Sequence, residues 1–170
     1  MARVFLSLGS NEDREFHIRS CLDALDSHFQ VVSVSSVYES EAVGFTGEPF
    51  YNMVVEIDTD LALGPLNNSL KKIEDEHGRR RDVPKFSGRT LDVDILLYDQ
   101  LVGISEGIEL PREEITQNAF VLLPLAEIAG DELHPVLKLS YAQLWSAYDK
   151  AQKLWAIDFQ WQGQSISKAP

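Results

Sequence analysis

Two aspartates, Asp92 and Asp94, stand one residue apart in the segment RTLDVDILLYDQ, where apolar residues alternate with them. Residues i and i+2 of a β-strand point to the same side of a sheet, so this spacing predicts that the two carboxylates lie together. Paired carboxylate oxygens suit a hard cation such as Mg²⁺. The alternative is that both side chains merely face water, because burying an unpaired carboxylate is costly.

A cluster of basic residues comes directly before this strand. Five of the 15 lysines and arginines fall close together: Arg79, Arg80, Arg81, Lys85 and Arg89. Phosphoryl transfer combines such groups with metal-binding carboxylates, since arginines hold phosphates while divalent ions neutralise their charge. The alternative is a solvated turn that balances the acidic residues just before it. Neither a Walker-type nor a kinase-type glycine loop occurs, so an ATP-using protein with this sequence belongs to neither class.

A third candidate pair, Phe50 and Asn52, lies in the segment FYNMVVEID, whose alternation predicts a strand. An aromatic ring and an amide on one strand face suit a flat heterocycle, although ordinary decoration of a sheet surface is the simpler alternative. The four histidines show no metal-ligand spacing. The single cysteine, Cys21, lies on the apolar side of a predicted helix, which indicates packing.

Hydrophobic periodicity predicts the elements that position these residues. We expect strands at residues 4–8, 31–40, 50–58 and 89–100, and a short strand pair at 103–110. We expect helices at 13–29, from 63 to a stop at Gly78, at 119–130 with an interruption near Pro124, and at 141–155. The order strand, helix, strand, strand, helix, strand predicts an α+β, ferredoxin-like antiparallel sheet with helices on one face and the ligand site on the other.

Two further segments receive predictions of their own. Residues 41–49 carry two glycines and a proline without periodicity, which predicts a loop and a candidate lid. Residues 155–161 alternate with period two and present a large apolar face, which must be covered by the chain's own sheet or helices or, alternatively, by a dimer partner.

Composition narrows the classes of function. A chain of 170 residues predicts one domain, which we place at residues 1–162, with a flexible polar tail at 163–170. The net charge of -12 opposes binding to nucleic acid and anionic lipid. No membrane-spanning run or signal peptide is evident, so we expect a cytoplasmic protein, monomeric or weakly dimeric, that binds small molecules.

Five segments, taken together, resemble one enzyme family. They are SLGSN, FYNMVVEIDT, KKIEDEHGRRR, GRTLDVDILLYD and AFVLLPLAEIA, within a resemblance that runs from Met1 to about Asp149. The family is that of the 6-hydroxymethyl-7,8-dihydropterin pyrophosphokinases. The resemblance implies an ATP-dependent transferase that moves pyrophosphate from ATP to the hydroxymethyl group of the reduced pterin in folate biosynthesis, releasing AMP.

The resemblance also implies roles for individual residues. Asp92 and Asp94 would hold two Mg²⁺ ions at the triphosphate of the co-substrate ATP, and Arg79 and Arg89 would act with them in catalysis. The residues that match ATP-binding positions are Glu74, Arg81, Arg89 and Arg112. The residues that match pterin-binding positions are Ser40, Val43, Phe50, Asn52 and Phe120.

The sequence departs from the family pattern near the ATP side. Pro111-Arg112-Glu113 stands where the family commonly has Pro-His, and Asn118 stands where it has arginine. Two usual ATP contacts are therefore missing, although Arg112 supplies a replacement charge. Two alternatives to the enzyme remain: a non-catalytic pterin-binding paralogue with impaired ATP binding, and a metal-dependent phosphohydrolase that uses the same aspartates.

Overall fold

The computed structural model describes residues 1–40, 49–78 and 91–170. The strands are β1 (Ala2–Ser10), β2 (Gln30–Val34), β3 (Tyr38–Ser40), β4 (Phe50–Thr59), β5 (Asp92–Tyr98), β6 (Gly103–Ser105), β7 (Ile108–Leu110), β8 (Leu154–Ala156), β9 (Phe159–Trp161) and β10 (Gln164–Ser167). The helices are α1 (Arg14–His28), α2 (Leu63–Glu76), α3 (Glu114–Gln117), α4 (Ala119–Ala129) and α5 (Tyr141–Ser146). Within these ranges no helix combines the length and the apolar character needed to cross a bilayer.

A six-stranded antiparallel sheet organises the described residues. Its strands lie in the order β5-β1-β4-β3-β8, and β2 pairs with the far half of β4. Strand β1 is central, since it pairs with β4 from Ala2↔Thr59 to Ser10↔Tyr51 and with β5 on its other side. The α+β class with an antiparallel sheet is therefore confirmed.

Helices α1 and α2 pack on one face of the sheet. Each strand sends alternate apolar residues to that face, as the period-two pattern predicts. Met53, Val55 and Ile57 of β4 are fully buried there, as predicted, and Leu22 and Leu70 meet them from the two helices. Burying a side chain of this size stabilises the fold by about 1.5–3 kcal/mol, so this core fixes which residues face the other way.

The opposite face is covered in part by α4 and α5. Phe5, Val54 and Leu96 of the sheet pack against α4 and α5 in a second core. Helices therefore lie on both faces, whereas the sequence led us to expect them on one. The apolar residues of α4 are buried against one part of this face of the sheet. The expected ligand cleft occupies the remainder of the same face.

The segment predicted as one strand at residues 31–40 is two strands, β2 and β3. Between the pairs Val34↔Val55 and Tyr38↔Asn52, three residues of this segment lie opposite two residues of β4. Ser35 fills the interruption, because its Oγ accepts a hydrogen bond of 2.9 Å from the Val54 amide. Such an extra residue is a β-bulge, which alternation alone does not reveal.

Two helix predictions are corrected. Helix α4 continues through Pro124 instead of breaking there, since Val121, Leu122 and Leu125 on either side are buried in the same core. Proline costs the helix one hydrogen bond, and burial of its flanks outweighs that loss. Helix α5 ends at Ser146, not near residue 155, because the following residues turn back to the sheet and form β8.

The C-terminal residues dock on the chain itself. Strand β8 pairs with β3, and β9 pairs with β10 as a hairpin. Phe159 is buried in the main core, and Trp161 packs against that core. Residues 164–167, expected to be a frayed tail, form β10, and the buried Ser167 Oγ accepts a 2.9 Å hydrogen bond from the Val37 amide. Three of the four apolar residues of the period-two pattern at 155–161 therefore pack on the chain's own core, whereas Trp155 is 39% exposed.

Candidate active site

A cleft of about 240 Å³ opens on the second face of the sheet, beside α4. Its floor comes from β1, β4 and β5, and its walls come from the end of β3, the segment after β7 and the start of α4. The lining residues are Ser7, Gly9, Ser40, Phe50, Asn52, Asp92, Asp94, Leu96, Arg112, Glu114, Phe120 and Val121. The cleft therefore combines carboxylates at β5 with aromatic rings and an amide at β4 and α4.

Asp92 and Asp94 both line this cleft, as their spacing on β5 predicts. The Asp94 carboxylate lies 3.6 Å from a guanidinium nitrogen of Arg112, and about two fifths of its side chain is exposed. Arg112 also forms an ion pair with Glu114. The end of the cleft at β5 is therefore partly open to solvent, and it contains the guanidinium of Arg112 beside the carboxylates. Both signs of charge suit it to a ligand that brings negative and positive groups together.

Glu74 lies behind the two aspartates, not in the cleft. It is on α2, on the other side of β5, with only 3% of its surface exposed. Its Oε2 accepts a hydrogen bond of 2.8 Å from the amide of Val93, the residue between Asp92 and Asp94. A hydrogen bond to a buried carboxylate is among the stronger kinds, so Glu74 fixes the backbone that carries the pair.

The other end of the cleft carries Asn52, Ser40, Phe50 and Phe120. The buried Asn52 Nδ2 donates a hydrogen bond of 3.1 Å to Ser40 Oγ, which orients the amide on the cleft floor. Phe50 and Phe120 are half-buried and line the cleft from β4 and α4, respectively. An oriented amide in a cleft with two aromatic side chains suits a flat heterocycle with hydrogen-bonding edges.

Gly9 is a cleft residue that the sequence does not predict. The first predicted strand ends at residue 8, whereas Gly9 lies in β1, paired with Asn52 on one side and Asp92 on the other. A Cβ atom at this position would lie 3.1 Å from Asn52 Oδ1 and 3.8 Å from the Phe50 ring. A glycine within a strand is a signal of such close approach.

We expect Gly9→Ala to weaken binding of a flat heterocycle by at least about tenfold, because the new methyl group would intrude on the cleft floor beside Asn52. Calorimetric titration with a pterin would measure the effect. Ser7→Ala, which removes an atom from the same floor instead of adding one, is the matched control. Equal pterin affinity in Gly9→Ala and the parent protein would contradict this placement of the ligand.

A second cavity of about 380 Å³ adjoins the first and shares three residues with it: Asp94, Arg112 and Glu114. Its remaining walls come from α2, through Asn67 and Lys71, and from the β6–β7 hairpin. The second cavity is mostly polar. Asp94 and Arg112 therefore lie between two cavities, one of which is suited to a flat ring and the other to a polar ligand.

Four predicted site residues lie outside the described residues, as does the candidate lid at 41–49 apart from Pro49. They are Val43, Arg79, Arg81 and Arg89. Asn118 lines a third cavity behind Phe120. Cys21 is fully buried, and burial together with the nearby Glu74 raises the pKa of its thiol, so it is a packing residue and not a nucleophile.

This fold and cleft define a class: a small α+β protein whose antiparallel sheet carries two neighbouring aspartates in an aromatic-lined cleft that adjoins a polar cavity. Residues 5–130 match the family described as 7,8-dihydro-6-hydroxymethylpterin-pyrophosphokinase (HPPK). The chain belongs to this family.

Individual relatives agree with this assignment. The chain is 42% identical over 135 residues to a 2-amino-4-hydroxy-6-hydroxymethyldihydropteridine pyrophosphokinase of Pseudomonas aeruginosa, covering 76% of this chain and 82% of that one. It is 37% identical over 144 residues to the folic acid synthesis protein fol1 of Pneumocystis carinii, covering 82% of this chain but only 19% of that protein.

Solved structures show the same fold at much lower identity. The HPPK-DHPS of Plasmodium falciparum in complex with SDX-DHP matches with a TM-score of 0.68 and 13% identity, covering 87% of this chain and 44% of that chain. This chain therefore spans less than half of that protein and about a fifth of fol1, while it spans most of the bacterial relative.

Proposed function

We propose that this chain transfers pyrophosphate from ATP to the hydroxymethyl group of 6-hydroxymethyl-7,8-dihydropterin, releasing AMP, as a step of folate biosynthesis. The substrate oxygen forms a bond to the β-phosphorus, the bond between that phosphorus and the α–β bridging oxygen breaks, and the hydroxyl proton is released. The observation that carries the proposal is the position of Asp94 and Arg112, which line both the aromatic cleft and the adjoining polar cavity. A reaction between two bound substrates requires such a junction.

In this proposal the pterin ring occupies the aromatic cleft. Phe50 and Phe120 contact its faces, and Asn52, oriented by Ser40, hydrogen-bonds its edge. The hydroxymethyl arm then points along the floor toward Asp92 and Asp94, where Gly9 leaves room between the strands. The chain contributes mainly by holding the two substrates in one orientation, which is where most of the barrier reduction in phosphoryl transfer comes from.

Asp92 and Asp94 would hold Mg²⁺, with two ions expected from the family. The donor set fits, because Mg²⁺ in phosphate sites is bound through one or two carboxylates together with the phosphates of the substrate. Within the described residues no group of three or more His, Cys, Asp or Glu side chains is placed to hold a metal ion. When bound, the metal neutralises phosphate charge.

The polar cavity suits a nucleotide complexed with metal better than a free nucleotide. Asp94, Glu109, Glu113 and Glu114 line it, against Lys71 and Arg112. Four carboxylates repel the phosphates of free ATP, and complexation with Mg²⁺ reduces that repulsion. Glu113, which follows Arg112 in the stretch where the family commonly has Pro-His, adds to this repulsion and so increases the dependence of ATP binding on the metal.

The proposal is tested by measuring AMP release from Mg-ATP with and without 6-hydroxymethyl-7,8-dihydropterin. We expect AMP to form only when the pterin is present. ADP or phosphate formed without pterin would instead indicate a phosphohydrolase, and pterin binding without turnover would indicate a non-catalytic paralogue. Either of these two outcomes would contradict the proposed function.

A further inference from the structure

Gln152 contacts the start of α4 from a distant part of the chain. Its Oε1 accepts a hydrogen bond of 2.7 Å from the amide of Ala119, and its Nε2 donates one of 3.3 Å to the carbonyl of Gln117. The first amides of a helix have no partner within the helix. Asn118 occupies the N-cap position of α4 but makes no side-chain cap hydrogen bond. Gln152 therefore supplies the cap from 33 residues farther along the chain.

The residues after Gln152 are fixed to the opposite wall of the cleft. Strand β8 pairs with β3 through Ser40↔Leu154 and Glu39↔Trp155. The indole Nε1 of Trp155 donates a hydrogen bond of 2.9 Å to Glu39 Oε1. Since β3 carries Ser40 and α4 carries Phe120, this short C-terminal segment connects the two walls between which the heterocycle lies.

The third cavity, of about 290 Å³, shows that the C-terminal segment lies close to the walls of the cleft. It is lined by Ser40 and Phe120 from the cleft and by Gln152 and Leu154 from the C-terminal segment. The start of α4 thus borders a second space besides the cleft. The hydrogen bond from Gln152 holds the first turn of α4, which carries Phe120, in place beside that space.

We propose that Gln152 is a positioning residue for the pterin: by capping α4 at Ala119 it holds Phe120 against the ring. This inference rests on the proposed function and deepens it. Gln152 lies beyond residues 5–130, the part of the chain that matches the family. The residues that position the pterin therefore include one from outside the segment that matches the family.

Gln152→Ala is the first test. We expect the Kd for 6-hydroxymethyl-7,8-dihydropterin, measured by calorimetry with a non-hydrolysable Mg-ATP analogue present, to rise about tenfold, which is ~1.4 kcal/mol. The Kd for the analogue itself should change by less than about twofold, because the polar cavity lies on the other side of Asp94. Gln152→Glu should bind pterin more tightly than Gln152→Ala, since a carboxylate accepts the same amide hydrogen bond and is favoured at a helix N-terminus, although it cannot donate to the Gln117 carbonyl.

Gln162→Ala is the matched control. Gln162 Nε2 donates a hydrogen bond of 3.0 Å to Asp26 on α1, away from the cleft, so the same atoms are removed and pterin binding should equal that of the parent. Trp155→Phe and Trp161→Phe form a second matched pair, because Trp161 Nε1 donates to Asp23 on α1. We expect only the Trp155 variant to weaken pterin binding.

The inference is overturned if Gln152→Ala binds pterin as tightly as Gln162→Ala, or if the affinities for pterin and nucleotide fall equally. A parent protein that binds no pterin would give a different result, since it would overturn the proposed function itself. If Gln152→Ala unfolds, the comparison of Trp155→Phe with Trp161→Phe decides the question alone.

Discussion

Asp92→Ala and Asp94→Ala should each abolish AMP formation, with a loss of at least about 10³-fold in turnover, or ~4 kcal/mol of transition-state stabilisation. Each substitution removes one of two carboxylates that line the cleft from the same face of β5. Neither side chain belongs to the buried core, so the fold should persist. The measurements are AMP release under saturating Mg-ATP and pterin, and a melting curve for each variant.

Asp58→Ala is the control for these two variants. Asp58 is on the same sheet, at the end of β4 far from Asn52, where it lies opposite Arg3 of β1 in the strand register. Its loss should leave turnover within about twofold of the parent value, as is usual for a substitution away from the site. Retention of activity within about tenfold in Asp92→Ala or Asp94→Ala would show that the carboxylates do not serve the reaction.

Phe159→Ala should lower the free energy of unfolding by about 3–5 kcal/mol, the usual cost of removing a buried phenylalanine. Only 3% of Phe159 is exposed, and its ring lies in the main core with the guanidinium of Arg19 4.7 Å from its centre. Urea-induced unfolding, followed by circular dichroism, would measure the loss. The size of the effect would show how firmly the C-terminal hairpin is part of the folded core.

Phe16→Ala is the control, because Phe16 is on α1 but is 65% exposed. The same substitution there should change the free energy of unfolding by no more than about 0.5 kcal/mol. If Phe159→Ala were equally mild, the hairpin of β9 and β10 would not contribute to the stability of the main core.

The sequence predicts the elements whose signals are local. The alternation of β4 places Met53 in the core and Asn52 in the cleft, and the spacing of Asp92 and Asp94 places both on one face. Helix α2 ends near Gly78, whose φ of 81° is a backbone conformation that glycine adopts readily. In each case a short stretch of residues determines its own conformation through periodicity or through one special residue.

What the sequence does not predict depends on partners far along the chain. Residues 141–155 have helical periodicity, yet Trp155 is in a strand because β3 offers it an edge to pair with. Gly9 looks like a turn residue until Asn52 and Asp92 are known to flank it. Glu74 is placed by the resemblance at the ATP, whereas the structure places it against the Val93 amide, behind the aspartates.

This contact of Glu74 has a consequence for how molecules of the protein meet one another. Strand β5 is an outer strand of the sheet, and unpaired amides on an outer strand can recruit a strand from another molecule, which leads to aggregation. The Val93 amide already donates a hydrogen bond to the buried Glu74 carboxylate, which a strand of another molecule cannot easily displace. The residue that holds the backbone between the two aspartates therefore also occupies an amide at this edge, and a substitution at Glu74 would leave that amide open to a strand of another molecule.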